Sequence, residues 1–213
     1  MVRRLLLGLF LAHAFLALCV PGIASASTTR VSAFYYPWYG TAAADGAYLH
    51  WGQDGHSPPN DIASSYYPAI GLYSSSSRVV IAQQMDEIRG AGIDEIAVSW
   101  WGRGSVEDGR LAAVAAAARA DGITVAAHLE PYGDRTVASI VGDVAYLEST
   151  YGIRTFYVYR ALDLPVADWA AAHDALHAVP GTLLFAQTAL AGAAAAGRFG
   201  GVYTNYIVAF SAN

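Results

Sequence analysis

Two rhythms of apolar residues alternate along the chain. Short runs rich in β-branched and aromatic residues predict strands over 31–36, 95–100, 124–129, 155–158, 182–186 and 201–204. Between them the apolar positions fall at helical spacing. Val80, Ile81, Met85 and Ile88 predict a helix over 78–91, capped by Ser76 or Ser77 and stopped at Gly92. Ser105 is the expected cap of an alanine-rich helix running to Asp121, with Gly122 behind it. Further helices are expected over 136–150, over 165–179 and over 189–196. Pro165 suits the start of the second of these, because its missing N–H would have no helical partner there.

Apolar strands separated by helices imply right-handed βαβ units and a parallel sheet. An open doubly wound sheet and a (β/α)8 barrel both fit that alternation. The open sheet usually carries a glycine-rich turn after its first strand. Here the first strand runs into Tyr-Pro-Trp-Tyr instead, and polar or aromatic residues stand at nearly every strand end. That favours the barrel, whose site is assembled from the C-terminal ends of many strands. Six strands in 213 residues make an incomplete barrel, since a full one takes about 250 residues. The strands at Val31 and Gly201 are then edges. The stretch from Gly40 to Ser77 is too long for an idle connection and is expected to be a functional loop.

The N-terminus reads as a leader rather than as fold. Arg3 and Arg4 precede an apolar run over 5–20, and Ala24-Ser25-Ala26 offers a small-x-small cleavage site. Residues 1–26 are therefore expected to be a secretory signal peptide, and residues 27–213 one exported, extracellular domain. The single cysteine, Cys19, falls inside the leader, so no disulfide is expected. No later run is long and apolar enough to span a membrane.

Charge narrows the chemistry. All 12 basic residues are arginine, against 17 acidic ones, for a net charge of −5. Without lysine there is no Schiff base and no P-loop. An acidic chain also lacks the basic face that a nucleic-acid partner requires. His50, His56 and His128 have no metal-ligand spacing, and no cofactor or metal is expected. No Gly-x-Ser-x-Gly and no Gly-x-Gly-x-x-Gly occurs.

The strand ends hold one consistent set of side chains. The first strand ends in Tyr35, Tyr36, Trp38 and Tyr39, and the loop adds Tyr48, His50, Trp51, Asp61, Tyr66, Tyr67 and Tyr73. Ser99, Trp100 and Trp101 end the second strand, and His128, Glu130 and Tyr132 mark the third. Tyr157, Tyr159, Gln187, Tyr203, Asn205 and Tyr206 follow on the others. Aromatic faces with a few carboxylates, imidazoles and amides suit a sugar, whose C–H faces pack on rings and whose hydroxyls need paired donors and acceptors. Glu130, after an apolar strand and before Pro131, is expected to point into the barrel mouth as a ligand-orienting or proton-handling carboxylate. Its competing role is a structural ion pair with Arg103 or Arg135. Glu130 and Trp100 are expected to share one pocket with His50 and with Tyr36 or Tyr39.

Five segments also carry a resemblance. Phe34-Tyr35-Tyr36-Pro37-Trp38-Tyr39-Gly40, His50-Trp51, the run over 61–68, Ser99-Trp100-Trp101 and His128-Leu129-Glu130-Pro131-Tyr132 together resemble glycoside hydrolase family 99, the endo-α-mannosidase family. The resemblance implies a metal-free (β/α)8 barrel and retaining hydrolysis within α-1,2-linked mannose chains, such as α-mannan or another mannose-containing oligosaccharide. It implies that the first-strand tyrosines, His50, Trp100 and Glu130 lie in the subsite next to the scissile bond. The family's working glutamates belong to an Asn-Glu-Trp-x-Glu type motif. The glutamates here are Glu87, Glu95, Glu107, Glu130 and Glu148, and none has that spacing. The chain is thus expected to represent the first two-thirds of the domain, without its catalytic pair. The alternative is a barrel remnant that binds carbohydrate without cleaving it.

Overall fold

A computed structural model describes residues 29–205. The leader assigned to residues 1–26 and Tyr206 lie outside the described residues. Strands β1 (Ser32–Tyr35), β2 (Glu95–Trp100), β3 (Thr124–Leu129), β4 (Thr155–Val158), β5 (Leu183–Gln187) and β6 (Gly201–Tyr203) form one sheet in sequence order. Every neighbouring pair is parallel. Three of the six predicted strands keep their expected bounds, and the others shift by one residue at one or both ends.

The helices form where the caps require. In α2 (Arg78–Gly90), Ser77 accepts from the Val80 N–H, and in α3 (Val106–Ala120) Ser105 accepts from Asp108. Thr136 and Ser139 exchange bonds in a capping box that starts α4 (Val137–Tyr151). Gly152 ends α4 at φ 72°, a left-handed conformation that costs glycine least. Pro165 precedes α5 (Val166–Leu176), which stops earlier than expected, and α6 (Ala191–Ala196) is short. The loop over 40–77 was expected to be functional, with no regular element assigned within it. It contains a four-residue helix α1 (Ala42–Asp45) and a 3-10 turn at Gln53–Gly55.

The strand period of two divides the sheet into unlike faces. Ile96, Val98, Trp100, Ala127, Leu129, Phe156, Val158, Leu184 and Ala186 turn toward the helices and are sealed against Ile81, Met85, Leu111, Val114, Ile140, Val144 and Trp169. The opposite face carries Glu95, Ser99, His128, Tyr157 and Phe185, aligned across the strands by the register Ser99↔His128↔Tyr157↔Phe185. Five strand spacings of about 4.8 Å would hold β1 and β6 some 24 Å apart in a flat sheet. Yet the Phe34 ring of β1 lies 6.0 Å from that of Tyr203 on β6. The sheet is therefore curled into a half-barrel, with side chains meeting across its interior.

Both ends of that interior are polar. At the N-terminal end, buried Glu95 accepts from Arg30, Ser32 (2.8 Å) and Tyr157 (3.2 Å). Glu95 thus sits at the far end of β2 from the strand-end chemistry. Among the described residues no helix is long and apolar enough to cross a membrane, and no three His, Cys, Asp or Glu side chains converge as metal ligands.

Candidate active site

Glu130 follows β3 and is buried, 5% exposed. Its Oε1 accepts from Ser99 Oγ at 2.7 Å and lies 2.8 Å from His128 Nδ1. His128 Nε2 in turn lies 2.8 Å from the Tyr203 hydroxyl. The imidazole is wedged edge-on against Phe34 at 4.8 Å, Tyr159 at 5.5 Å and Tyr203 at 5.8 Å. Side chains from β1, β2, β3 and β6 thus converge at the C-terminal mouth.

Neither expected arginine pairs with this carboxylate. Arg135 donates to the main-chain oxygens of Leu129, Glu130 and Tyr159, clamping the ends of β3 and β4 together. Arg103 reaches Gly142 O and Asp143 and lies over the Tyr146 ring. The Glu130 side chain is held by Ser99 and His128 instead, and no hydrogen bond to its second oxygen, Oε2, comes from the described residues.

Beside this array stands an aromatic column. Trp38 stacks between Tyr36 at 4.4 Å and His50 at 4.5 Å. Tyr39 meets Trp38 and His50 edge-on at 6.2 Å each and stacks on Trp51 at 4.0 Å. The Trp38 indole N–H is buried and has no hydrogen-bond partner among the described residues. A buried donor without a partner costs about 1–3 kcal/mol, so this N–H favours an incoming acceptor. Tyr36 and Tyr39 also line a groove of about 370 Å3 beside β1, bounded by Tyr73, Gln84 and Ile88.

The loop that carries His50 is anchored, not slack. Buried Arg110 of α3 donates to Pro37 O and to Asp45 Oδ1, both at 2.7 Å. Trp51 Nε1 donates to Tyr73 O at 3.0 Å, and the Ser75 N–H to Tyr39 O at 2.8 Å. His50 takes a φ of 58°, a strained backbone for a non-glycine residue, and its Nδ1 lies 2.9 Å from Gln53 Nε2. A Cβ on Gly40 would meet the Leu49 side chain at 2.8 Å, so a larger residue there would force Leu49 to shift.

Electrostatics fit a dry, donor-rich mouth. Burial, and then the Glu130 charge, push the Tyr36 phenol above its ordinary value. The same two causes act more strongly on Tyr203. Both phenols therefore remain hydroxyl donors at any physiological pH. Desolvation pushes His50 down, toward neutral imidazole.

Several predicted site residues face elsewhere. Trp100 does not share a pocket with Glu130: it is fully buried on the helix side, donating to Asp108 Oδ1 at 2.9 Å and packed by Tyr132 and Tyr146. The reason is parity, since Trp100 shares a face with Ile96 and Val98. Tyr132 also turns toward the helices, where its hydroxyl binds Asp143. Trp51 is buried beneath Tyr39 as a loop anchor. Trp101 is exposed past the end of β2, and Tyr66 and Tyr67 are exposed on the loop. Asp61 pairs with His56 at 2.7 Å within that loop. Tyr36, Trp38, Tyr39, His50, His128 and Glu130 are brought to the mouth. Ser99, Tyr203, Phe34 and Tyr159 join them there. The first three alternate with core residues along their strands, and that alternation was the available signal.

A buried carboxylate among aromatic rings, at the C-terminal ends of parallel strands curled into a half-barrel, is the layout of an incomplete (β/α) barrel with its site at the strand ends. The profile of glycosyl hydrolase family 99 matches residues 27–173, and the chain belongs to that family. It is similar to a glycoprotein endo-alpha-1,2-mannosidase of Rattus norvegicus, 35% identical with 61% of this chain and 33% of the relative covered. A glycoprotein endo-alpha-1,2-mannosidase-like protein of Danio rerio is 34% identical, with 64% and 39% covered. The chain spans between a third and two-fifths of the length of these curated relatives. In fold it resembles the GH99 endo-alpha-mannosidase of Bacteroides thetaiotaomicron, with a TM-score of 0.73, 24% identity and coverage of 83% of this chain and 61% of that one.

Proposed function

We propose that the mouth binds an α-1,2-linked mannose-containing glycan, and that the chain as it stands holds this ligand without cleaving it. The observation that carries the reading is the buried Glu130 carboxylate, fixed through one oxygen by Ser99 and His128. Its second oxygen is left for a sugar hydroxyl, beside the Tyr36–Trp38–His50 column on which a ring can pack. The names of the relatives support the choice of mannose. Cleavage of a glycosidic bond takes a proton donor to the leaving oxygen and a second group to meet the developing cation. The Asn-Glu-Trp-x-Glu type motif that would supply them is not in the sequence. We further propose that the leader over 1–26 directs export, which places the mouth where extracellular mannans are met.

Calorimetric titration of residues 27–213 with α-1,2-mannobiose tests the binding. Saturable binding is expected, weakened about tenfold or more by Glu130→Gln, which exchanges a charged acceptor for a neutral amide. An endo-mannosidase assay on α-1,2-mannan is expected to show no turnover. Turnover lost in an Asp61 or Glu130 variant would overturn the non-catalytic reading, and absence of binding would overturn the site.

A further inference from the structure

The Glu130 array has a direction that the hydrogen bonds determine. The Tyr203 hydroxyl has one proton, and burial together with the nearby Glu130 charge keeps it there. Given to His128 Nε2 at 2.8 Å, that proton leaves the imidazole N–H on Nδ1, 2.8 Å from Glu130 Oε1. Oε1 then accepts two bonds, from Ser99 and from His128. In a neutral ring the reverse direction, with Nε2–H given to Tyr203, would set an Nδ1 lone pair against a carboxylate oxygen. It is disfavoured for that reason.

We propose that Tyr203 is a positioning residue: through His128 it locks Glu130 with Oε1 saturated and Oε2 presented to the ligand. Tyr203 reaches this role from β6, four strands away from Ser99 on β2. Its ring is braced by Tyr157 at 5.3 Å and Phe34 at 6.0 Å. The curl of the half-barrel is thus what completes the array. A sheet opened by a few ångströms would keep Ser99 and His128 beside Glu130 but lose Tyr203. The proposal rests on the reading of Glu130 as the glycan-contacting carboxylate, but the state of His128 is measurable without any glycan.

The test is long-range 1H–15N NMR of histidine-labelled residues 27–213, with His128 assigned by His128→Gln. The neutral Nδ1–H tautomer is expected in the parent protein; in Tyr203→Phe, which keeps the ring and its packing, Glu130 still holds the proton on Nδ1, and the Nε2 resonance is expected to move downfield because its donor is lost. The Nε2–H tautomer or a doubly protonated ring in the parent would overturn the proposal, and so would an unchanged Nε2 resonance in Tyr203→Phe. The parent measurement decides the matter even if the variant fails to fold. With α-1,2-mannobiose as probe, Tyr203→Phe should raise the dissociation constant about five- to tenfold, the worth of one hydrogen bond. Failure of the parent to bind the disaccharide would strike the glycan reading, while the tautomer would still judge the positioning role.

Discussion

The two faces of the same six strands do opposite work. On the helix side, Ile96, Val98 and Trp100 of β2 meet Ala127 and Leu129 of β3 in a sealed apolar layer. One residue out of step, Glu95, Ser99, His128 and Glu130 are just as buried, yet every one of them is hydrogen-bonded. Burial alone therefore does not distinguish core from site. What distinguishes them is whether the buried atoms are apolar, or polar with donors and acceptors matched to one another. The helix face stabilises the sheet, and the barrel face spends part of that stability on holding polar groups in fixed directions.

Removing a large side chain from the helix face should have the largest effect. Trp100→Ala should cost about 3–5 kcal/mol in urea unfolding, since it opens a cavity in the core and takes a donor from Asp108. Its exposed neighbour Trp101→Ala should cost within about 0.5 kcal/mol. Equal costs for the two would break the division by face.

Asp143 offers a subtler probe of the same layer. Burial, opposed by Arg103 and reinforced by Asp108, raises its carboxyl from 3.8 to about 6. In that window the folded state holds more protons than the unfolded one, so this group lowers stability as pH rises from about 4 to 6. Asp143→Asn, which still accepts from Tyr132, should therefore raise stability at pH 7 by about 1–2 kcal/mol and flatten the profile between pH 4 and 6. Thermal unfolding across pH reads it directly, and a loss of stability at pH 7 would show that the Arg103 pair outweighs desolvation.

Much of the fold was legible because local signals agreed. Ser77, Ser105 and Thr136 cap where a short polar residue precedes a helical pattern, and the apolar runs of β2, β3 and β4 are bounded by turns. The site was legible only in part. Strand-end position singles out Glu130, His128 and Tyr36, but it also draws in Trp100 and Tyr132, because an aromatic residue at a strand end looks alike on either face. Alternation along β2 resolves Trp100, since it falls in phase with Ile96 and Val98, and it brings forward Ser99. Trp51 could not be resolved that way. It lies in a loop without a period, and its bond to Tyr73 O is a tertiary fact.

Indole N–H signals under glycan titration test the division most directly. Trp38 has a buried N–H with no partner among the described residues, beside the mouth, whereas the Trp100 N–H is already given to Asp108. Two-dimensional 1H–15N spectra of residues 27–213, assigned by single Trp→Phe variants, would be followed as α-1,2-mannobiose is added. The Trp38 signal should move in a saturable way while Trp100 stays fixed. Movement of Trp100 with Trp38 unchanged would place the sugar on the other face and contradict the account.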